Sequence, residues 1–122
     1  MTKEAALYAW FNSFGVPAYP DTEVPDTARL PYITYQVITD GYTGEAVYPT
    51  VYIWYRTASE AVPNAKAREL YDAIGPAGCL IPCDGGGIEI YRASPWCRNI
   101  SDPADPAIKG RYINIALKYL TI

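Results

Sequence analysis

The chain has 122 residues, of which half are hydrophobic, with a formal net charge of −3 and a pI near 4.8. This length fits one domain, so we expect residues 1–122 to form a single domain. The longest apolar runs are far shorter than the ~20 residues that cross a bilayer, and the start Met1–Glu4 lacks the pattern of an export signal. The acidic balance also disfavours non-specific binding to nucleic acid.

Residue types needed for common enzyme chemistry are missing. The sequence contains no histidine, which is the most frequent general base and the most frequent metal ligand. The three cysteines, Cys79, Cys83 and Cys97, are odd in number and spaced so that a zinc site would need an acidic fourth ligand. We predict free thiols in a reducing compartment, no metal, no cofactor, no catalytic residue and no enzymatic activity.

Tyrosine is the compositional outlier. The chain has 12 tyrosines and three tryptophans but only two phenylalanines. Rings that carry a polar group suit surfaces that are dry on one side and wet on the other, as protein interfaces are. The composition therefore indicates association.

The first element in the chain is a predicted helix over Lys3–Phe14. Leu7, Phe11 and Phe14 follow a helical spacing with Trp10, and the next residue is Gly15, where a left-handed cap would stand. The stretch after it, residues 16–31, contains four prolines and several turn-forming residues. We expect a long, ordered loop there.

Two strands are predicted next. Tyr32–Ile38 is rich in β-branched and aromatic residues, and Val47–Tyr55 alternates between an aliphatic side and an aromatic side. Pro49 favours an edge position at the start of the second strand. Residues 39–45 between the strands form a hairpin loop or a projecting arm.

The second half of the chain continues this pattern. Pro63 fits the first turn of a second helix that Gly75 ends, and Cys79–Pro82 pairs with Ile88–Arg92 through a glycine-rich turn. Asn99–Pro106 is predicted to be a polar link, and Arg111–Thr121 a last strand. The class is α+β, a mostly antiparallel sheet of four to five strands with two amphipathic helices on one face.

Three features allow a chemical interpretation as well as a structural one. The run Asp84–Gly87 could cradle an anion, but such loops normally open a helix, and here a strand follows. Asp84 and Glu89 could act as a carboxylate pair, although a solvated turn acid is the simpler explanation. The aromatic side of Val47–Tyr55 could pack under a helix, form a subunit interface or stack on a ligand, and all three remain open.

We expect subunits to pair through exposed sheet edges and the aromatic strand, with the loop 16–31 and the arm 39–45 reaching the neighbour. The link at Ser101–Pro106 is either a solvated connection or an assembly contact. The residues predicted at a protein interface are Tyr42, Tyr48, Tyr52, Trp54, Asp84, Trp96 and Asp102.

Several short motifs, taken in order, resemble those of the tail-terminator and head–tail joining proteins of long-tailed phages and prophages, which include minor capsid and tail completion proteins. The motifs are Phe14–Pro20, Leu30–Tyr35, Val51–Arg56, Pro63–Ala67, Cys83–Gly86, Pro95–Trp96, Ser101–Pro103 and Arg111–Ile115.

The resemblance implies a small α+β subunit that forms a ring, often a hexamer, at the head-proximal end of the tail tube. Its partners would be copies of itself, the tail tube protein and head–tail connector proteins, with DNA passing through without specific binding and with no membrane contact. It would act in the virion, after assembly in the host cytoplasm. A connector or completion subunit of the same region, or a glycan- or peptide-binding module that uses the Tyr and Trp face, remains an alternative.

Overall fold

The computed structural model describes residues 1–122 and contains two helices and seven strands. The elements in chain order are α1 (Lys3–Phe11), β1 (Ala18–Pro20), β2 (Tyr32–Tyr35), β3 (Ala46–Val47), β4 (Thr50–Arg56), α2 (Ala61–Ile74), β5 (Cys79–Cys83), β6 (Gly86–Asp102) and β7 (Asp105–Leu120). The predicted α+β class is confirmed, and the sheet is larger than the four to five strands expected. Neither helix has the length and apolarity to cross a membrane.

All seven strands belong to one sheet, in the order β1-β2-β4-β7-β6-β5. The short strand β3 also pairs with β7, beside the start of β4. Every pair is antiparallel except β1 with β2, which makes the sheet mixed. Strand β7 is therefore hydrogen-bonded on both sides over most of its length.

Helix α1 begins at Lys3 as predicted, and its α-helical part ends at Phe11, three residues before the predicted end at Phe14. The Oγ1 atom of Thr2 accepts a hydrogen bond from the Ala5 amide at 3.1 Å, which caps the first turn. A single 3₁₀ turn over Asn12–Phe14 follows the helix, and Gly15 has φ of 81°, the left-handed conformation that glycine adopts without strain. The chain can therefore turn sharply from the helix into β1.

Both helices pack on the same face of the sheet, as predicted. Helix α2 buries Ala67, Leu70 and Ile74 at helical spacing, and α1 buries Leu7 and Phe11. The strand residues that meet these helices are aliphatic or aromatic: Ala18, Ile33, Tyr35, Val51, Ile53, Ile88, Ile90, Ile113, Ile115, Leu117 and Tyr119. Each buried aliphatic side chain of this size stabilises the fold by roughly 1.5–3 kcal/mol. The opposite face of the sheet has no helix over it.

A buried arginine joins the central strand to the start of α2. Arg111 is fully buried, and its Nη2 atom donates to Oδ1 of Asn64 at 2.8 Å and to the carbonyl of Glu60 at 3.2 Å. Its Nη1 atom donates to the carbonyl of Gly110 at 2.7 Å. A guanidinium is tolerated inside the protein only when its donors are used in this way. Arg111 thus fixes where α2 begins over β7.

The predicted loop 16–31 contains a strand, β1, that the sequence pattern does not indicate. Strand β1 pairs in parallel with β2, and three residues are too few to show a period. Its outer edge is occupied by the side chain of Asn12. The Oδ1 atom of Asn12 accepts a hydrogen bond from the Ala18 amide at 2.9 Å, and its Nδ2 atom donates to the Ala18 carbonyl at 3.1 Å. This edge of the sheet is therefore not available for pairing with another strand.

Two predicted strands are shorter or broken. Strand β2 ends at Tyr35 and not at Ile38, and the expected strand Val47–Tyr55 is interrupted at Tyr48 and Pro49. Proline has no N–H to donate to a ladder, which accounts for the break between β3 and β4. The expected edge position at the start of this strand agrees with β3, which pairs only with β7, whereas β4 lies between β2 and β7.

The predicted polar link Asn99–Pro106 is instead the tip of a long hairpin. Strand β6 continues to Asp102 and β7 starts at Asp105. The Asp102 carboxylate accepts from the Ala104 amide at 2.8 Å, so the Asp and Pro residues build a tight turn, and a long connection is not needed. Strand β6 has an irregularity in its pairing between Arg92 and Cys97.

We predict that the hydroxyl of Tyr119 fixes the arm to the sheet. It donates a hydrogen bond to the carbonyl of Ile38 at 2.6 Å, and burial raises the pKa of Tyr119 to about 12. Tyr119→Phe should lower the free energy of unfolding by about 1 kcal/mol. Tyr35→Phe is the matched control, because Tyr35 is equally buried but its hydroxyl has no partner in the chain. Urea unfolding of both variants tests this, and equal losses would contradict it.

Candidate interaction surface

The sheet face without helices carries a group of aromatic side chains. Directly paired residues of antiparallel strands point to the same face of the sheet. The pairs Tyr32 with Trp54 and Tyr52 with Tyr112 alternate with the buried aliphatic pairs and are therefore on the other face. Tyr19 in β1 joins them beside Tyr32. We call these five partly exposed side chains, from β1, β2, β4 and β7, the aromatic face.

The rings of the aromatic face contact one another. Tyr52 and Trp54 are stacked, with centroids 6.0 Å apart and planes at 13°, and Tyr112 meets Tyr52 edge-on at 5.2 Å. Tyr19 and Tyr32 form a further edge contact at 5.9 Å. Such contacts orient the rings and keep them rigid. The result is a preformed, amphipathic surface with little rotamer freedom left to lose on binding.

A glycine makes room for the largest ring. Gly110 lies opposite Trp54 in the β4–β7 ladder. A Cβ atom at this position would come within 2.7 Å of Trp54 Cζ3 and within 2.8 Å of Ile100 Cγ1. The indole ring therefore lies directly over the backbone of β7.

The aromatic face continues into a cleft at the bulge of β6. Arg98 lies over the ring of Tyr112 at 4.8 Å, a distance typical of a cation–π contact. The cleft has a volume of about 530 Å³, and Tyr48, Pro95 and Asn114 also line it. Tyr48 is 66% exposed. The predicted residues Tyr48, Tyr52 and Trp54 are thus on one side of the sheet, with no helix over them.

Asp102 borders a second cleft, of about 370 Å³, which Leu30, Tyr32, Trp54 and Ile108 also line. Its carboxylate already accepts the Ala104 amide within the hairpin turn. Asp102 is therefore near Trp54, as an interface residue would be, while its side chain also holds the turn.

Trp96 lies on the other side of the sheet. Its ring meets Tyr71 of α2 edge-on at 5.3 Å and packs against the hydrophobic core. Arg92 stacks on Tyr71 as well, 3.4 Å from the ring centroid, and donates to the Tyr71 carbonyl at 2.9 and 2.7 Å. A cation suits this place at the C-terminal end of α2. The structure therefore separates Trp96 from the aromatic face.

Tyr42 and Asp84 are also apart from the aromatic face. Tyr42 is in the arm and is 70% exposed. Asp84 is in the β5–β6 turn, where its carboxylate pairs with the N-terminal ammonium of Met1 and its amide donates to the Met1 carbonyl at 2.7 Å. Asp84 thus holds the N-terminus, and neighbouring Gly85 has the positive φ of a turn.

Four members of this surface were not predicted: Tyr19, Tyr32, Arg98 and Tyr112. The alternation within Arg111–Thr121 does place Tyr112 on one side of its strand, but only the register between β4 and β7 brings it to Tyr52. That register joins residues 60 positions apart, and no local pattern reports it.

The three cysteine side chains are partly buried. Burial raises the pKa of the Cys79 and Cys97 thiols, which lowers the share of reactive thiolate. The three cysteines are free, and no three Cys, Asp or Glu side chains lie close enough together to hold a metal ion.

Comparison of the chain with protein-family models, with curated proteins and with solved structures found no match.

Gly110→Ala should disturb the aromatic face directly. The added methyl group would push against Trp54, and overpacking of this kind costs about 1–3 kcal/mol in the free energy of unfolding. Gly41→Ala is the control, since nothing lies within 4 Å of that position and we expect a change within about 0.5 kcal/mol. Urea unfolding followed by tryptophan fluorescence measures both, and a Gly110→Ala protein with unchanged stability would contradict the packing described.

Proposed function

We propose that this chain is a structural assembly protein of a phage or prophage tail. It acts as a tail terminator, forming a ring at the head-proximal end of the tail tube and joining the tube to the head. The observation that supports this most is the aromatic face, which is preformed and has no helix over it. Surfaces of this composition mark contacts with other proteins.

The free part of the sheet edge supports the same proposal. Strand β5 covers β6 only over residues 86–90, so the outer backbone groups of β6 beyond Ile90 have no strand partner. With the β1 edge occupied by Asn12, one side of the sheet remains for association through strand edges. A contact in which this edge meets a different surface of the next copy is head-to-tail, and it generates a closed ring when each step adds a fixed rotation.

The tip of the long β6–β7 hairpin is held against the end of β4, where the Thr57 amide donates to the Ala107 carbonyl at 2.9 Å. Arg56 and Asp105 form an ion pair at 2.7 Å beside its tip, and Arg56 keeps the pKa of the Asp105 carboxyl below its usual value. The tip is therefore well defined, as a contact with the tail tube or with a connector protein requires. DNA would pass the acidic ring without strong attachment, because few phosphate contacts would form.

A glycan- or peptide-binding module is the second candidate. The stacked pair of Tyr52 and Trp54 on an uncovered face favours it, because flat sugars and peptide side chains pack on such rings. Saturable binding on a glycan array by a protein that stays monomeric would favour this function over the ring. A connector or completion subunit of the same virion region would also use the aromatic face.

We predict that self-association depends on the aromatic side of the sheet. Tyr48→Ser should weaken association about tenfold, since an exposed tyrosine at an interface centre contributes about 1.4 kcal/mol or more. Tyr8→Ser is the matched control, because Tyr8 is 49% exposed on α1, across the sheet. Sedimentation velocity and native mass spectrometry over a concentration series measure both. A wild-type protein that stays strictly monomeric, with or without tail tube protein, would contradict the proposed function.

A further inference from the structure

The two edges of the sheet carry opposite charge. At the β1 edge, the loop that follows Pro20 exposes Asp21, Glu23 and Asp26 within six residues. None of these carboxylates forms an ion pair or a side-chain hydrogen bond within the chain. We call residues 21–26 the acidic loop.

The opposite edge is basic. Arg92 and Arg98 are on the part of β6 beyond Ile90, whose outer backbone groups have no strand partner. Arg68 is on α2, across a groove from this part of β6. Asp72 pairs with Nε of Arg68 at 3.0 Å, and the other two arginines have no acidic partner. Arg92 uses Nε and Nη2 on the Tyr71 carbonyl, which leaves Nη1 free to donate. We call these three arginines the basic edge.

The acidic loop and the basic edge are at the same position along the strand direction, at the two ends of one row of paired residues. Tyr35, Val51, Ile113 and Cys97 form one row across β2, β4, β7 and β6. The Asp21 amide donates to the Tyr35 carbonyl at 2.9 Å, so the acidic loop begins at one end of this row. Cys97, between the bulge and Arg98, is at the other end. Copies placed side by side with their strands aligned would bring the two charged groups together.

We infer that the acidic loop of one copy binds the basic edge of the next copy. The inference rests on the proposed ring function and names the two surfaces that meet in it. Each copy contributes its acidic loop to one neighbour and its basic edge to the other, which is the head-to-tail arrangement a ring requires. The charges determine which surfaces meet and in what register, more than they determine the strength of the contact.

Charge-swap variants test this pairing. The loop variant carries Asp21→Lys, Glu23→Lys and Asp26→Lys, and the edge variant carries Arg68→Glu and Arg98→Glu; Arg92 is left intact because it holds the end of α2. All five side chains are exposed, so both variants should fold, which circular dichroism verifies. Each variant alone should associate about a hundredfold more weakly than the wild type, because like charges meet.

The mixture of the two variants is the decisive sample. In it, each reversed loop meets a reversed edge, so association should return, with the variants alternating in equal numbers in native mass spectra. Arg29→Glu and Glu45→Lys serve as controls, since both residues are exposed and neither belongs to the basic edge or the acidic loop. Neither control should weaken association.

Two results would overturn the inference, and only the second would also contradict the proposed ring. If the wild type associates and the swapped variants associate equally well, the pairing is wrong while self-assembly stands. If the wild type stays monomeric at low salt and at the highest soluble concentration, both the pairing and the ring are wrong. Low salt is used because screening weakens contacts between exposed charges.

Discussion

The structure depends on strand β7, which is hydrogen-bonded to strands on both sides. Its side chains alternate between the two faces of the sheet, so β7 has one set of side chains on each face. Ile113, Ile115 and Leu117 belong to the core that both helices cover, and Arg111 joins the same side to the start of α2. The chain has only two helices, and both are on that face. The residues that alternate with the buried set, Tyr112 among them, are left without a helix over them.

This one-sided arrangement accounts for four of the 12 tyrosines, Tyr19, Tyr32, Tyr52 and Tyr112. A tyrosine or tryptophan ring can remain partly exposed because it has both an apolar body and a polar group. On the aromatic face the rings pack on one another and on Gly110, so the surface is ordered before any partner binds. A surface that is already ordered loses little entropy on association, which suits a subunit that must assemble in one geometry.

Local patterns in the sequence predicted both helices, the Gly15 cap, the β5–β6 turn and the α+β class, because each depends on neighbours a few residues apart. They did not predict β1, which is too short to show a period, or the hairpin turn at Asp102, because Asp and Pro are as common in links as in tight turns. On the candidate surface, alternation placed Tyr52 and Trp54 together. Tyr112 and Arg98 needed the register between distant strands, and Trp96 was assigned from composition alone.

Association through the aromatic face would change the solvent exposure of its rings. Hydroxyl-radical footprinting measures the solvent exposure of individual aromatic side chains, and it can compare a dilute sample with a concentrated, assembled one. We expect Tyr52, Trp54 and Tyr112 to become protected in the assembled sample while Tyr8 on α1 keeps its reactivity. Equal modification of the aromatic face in both samples, with assembly verified by sedimentation, would show that this face does not take part in association.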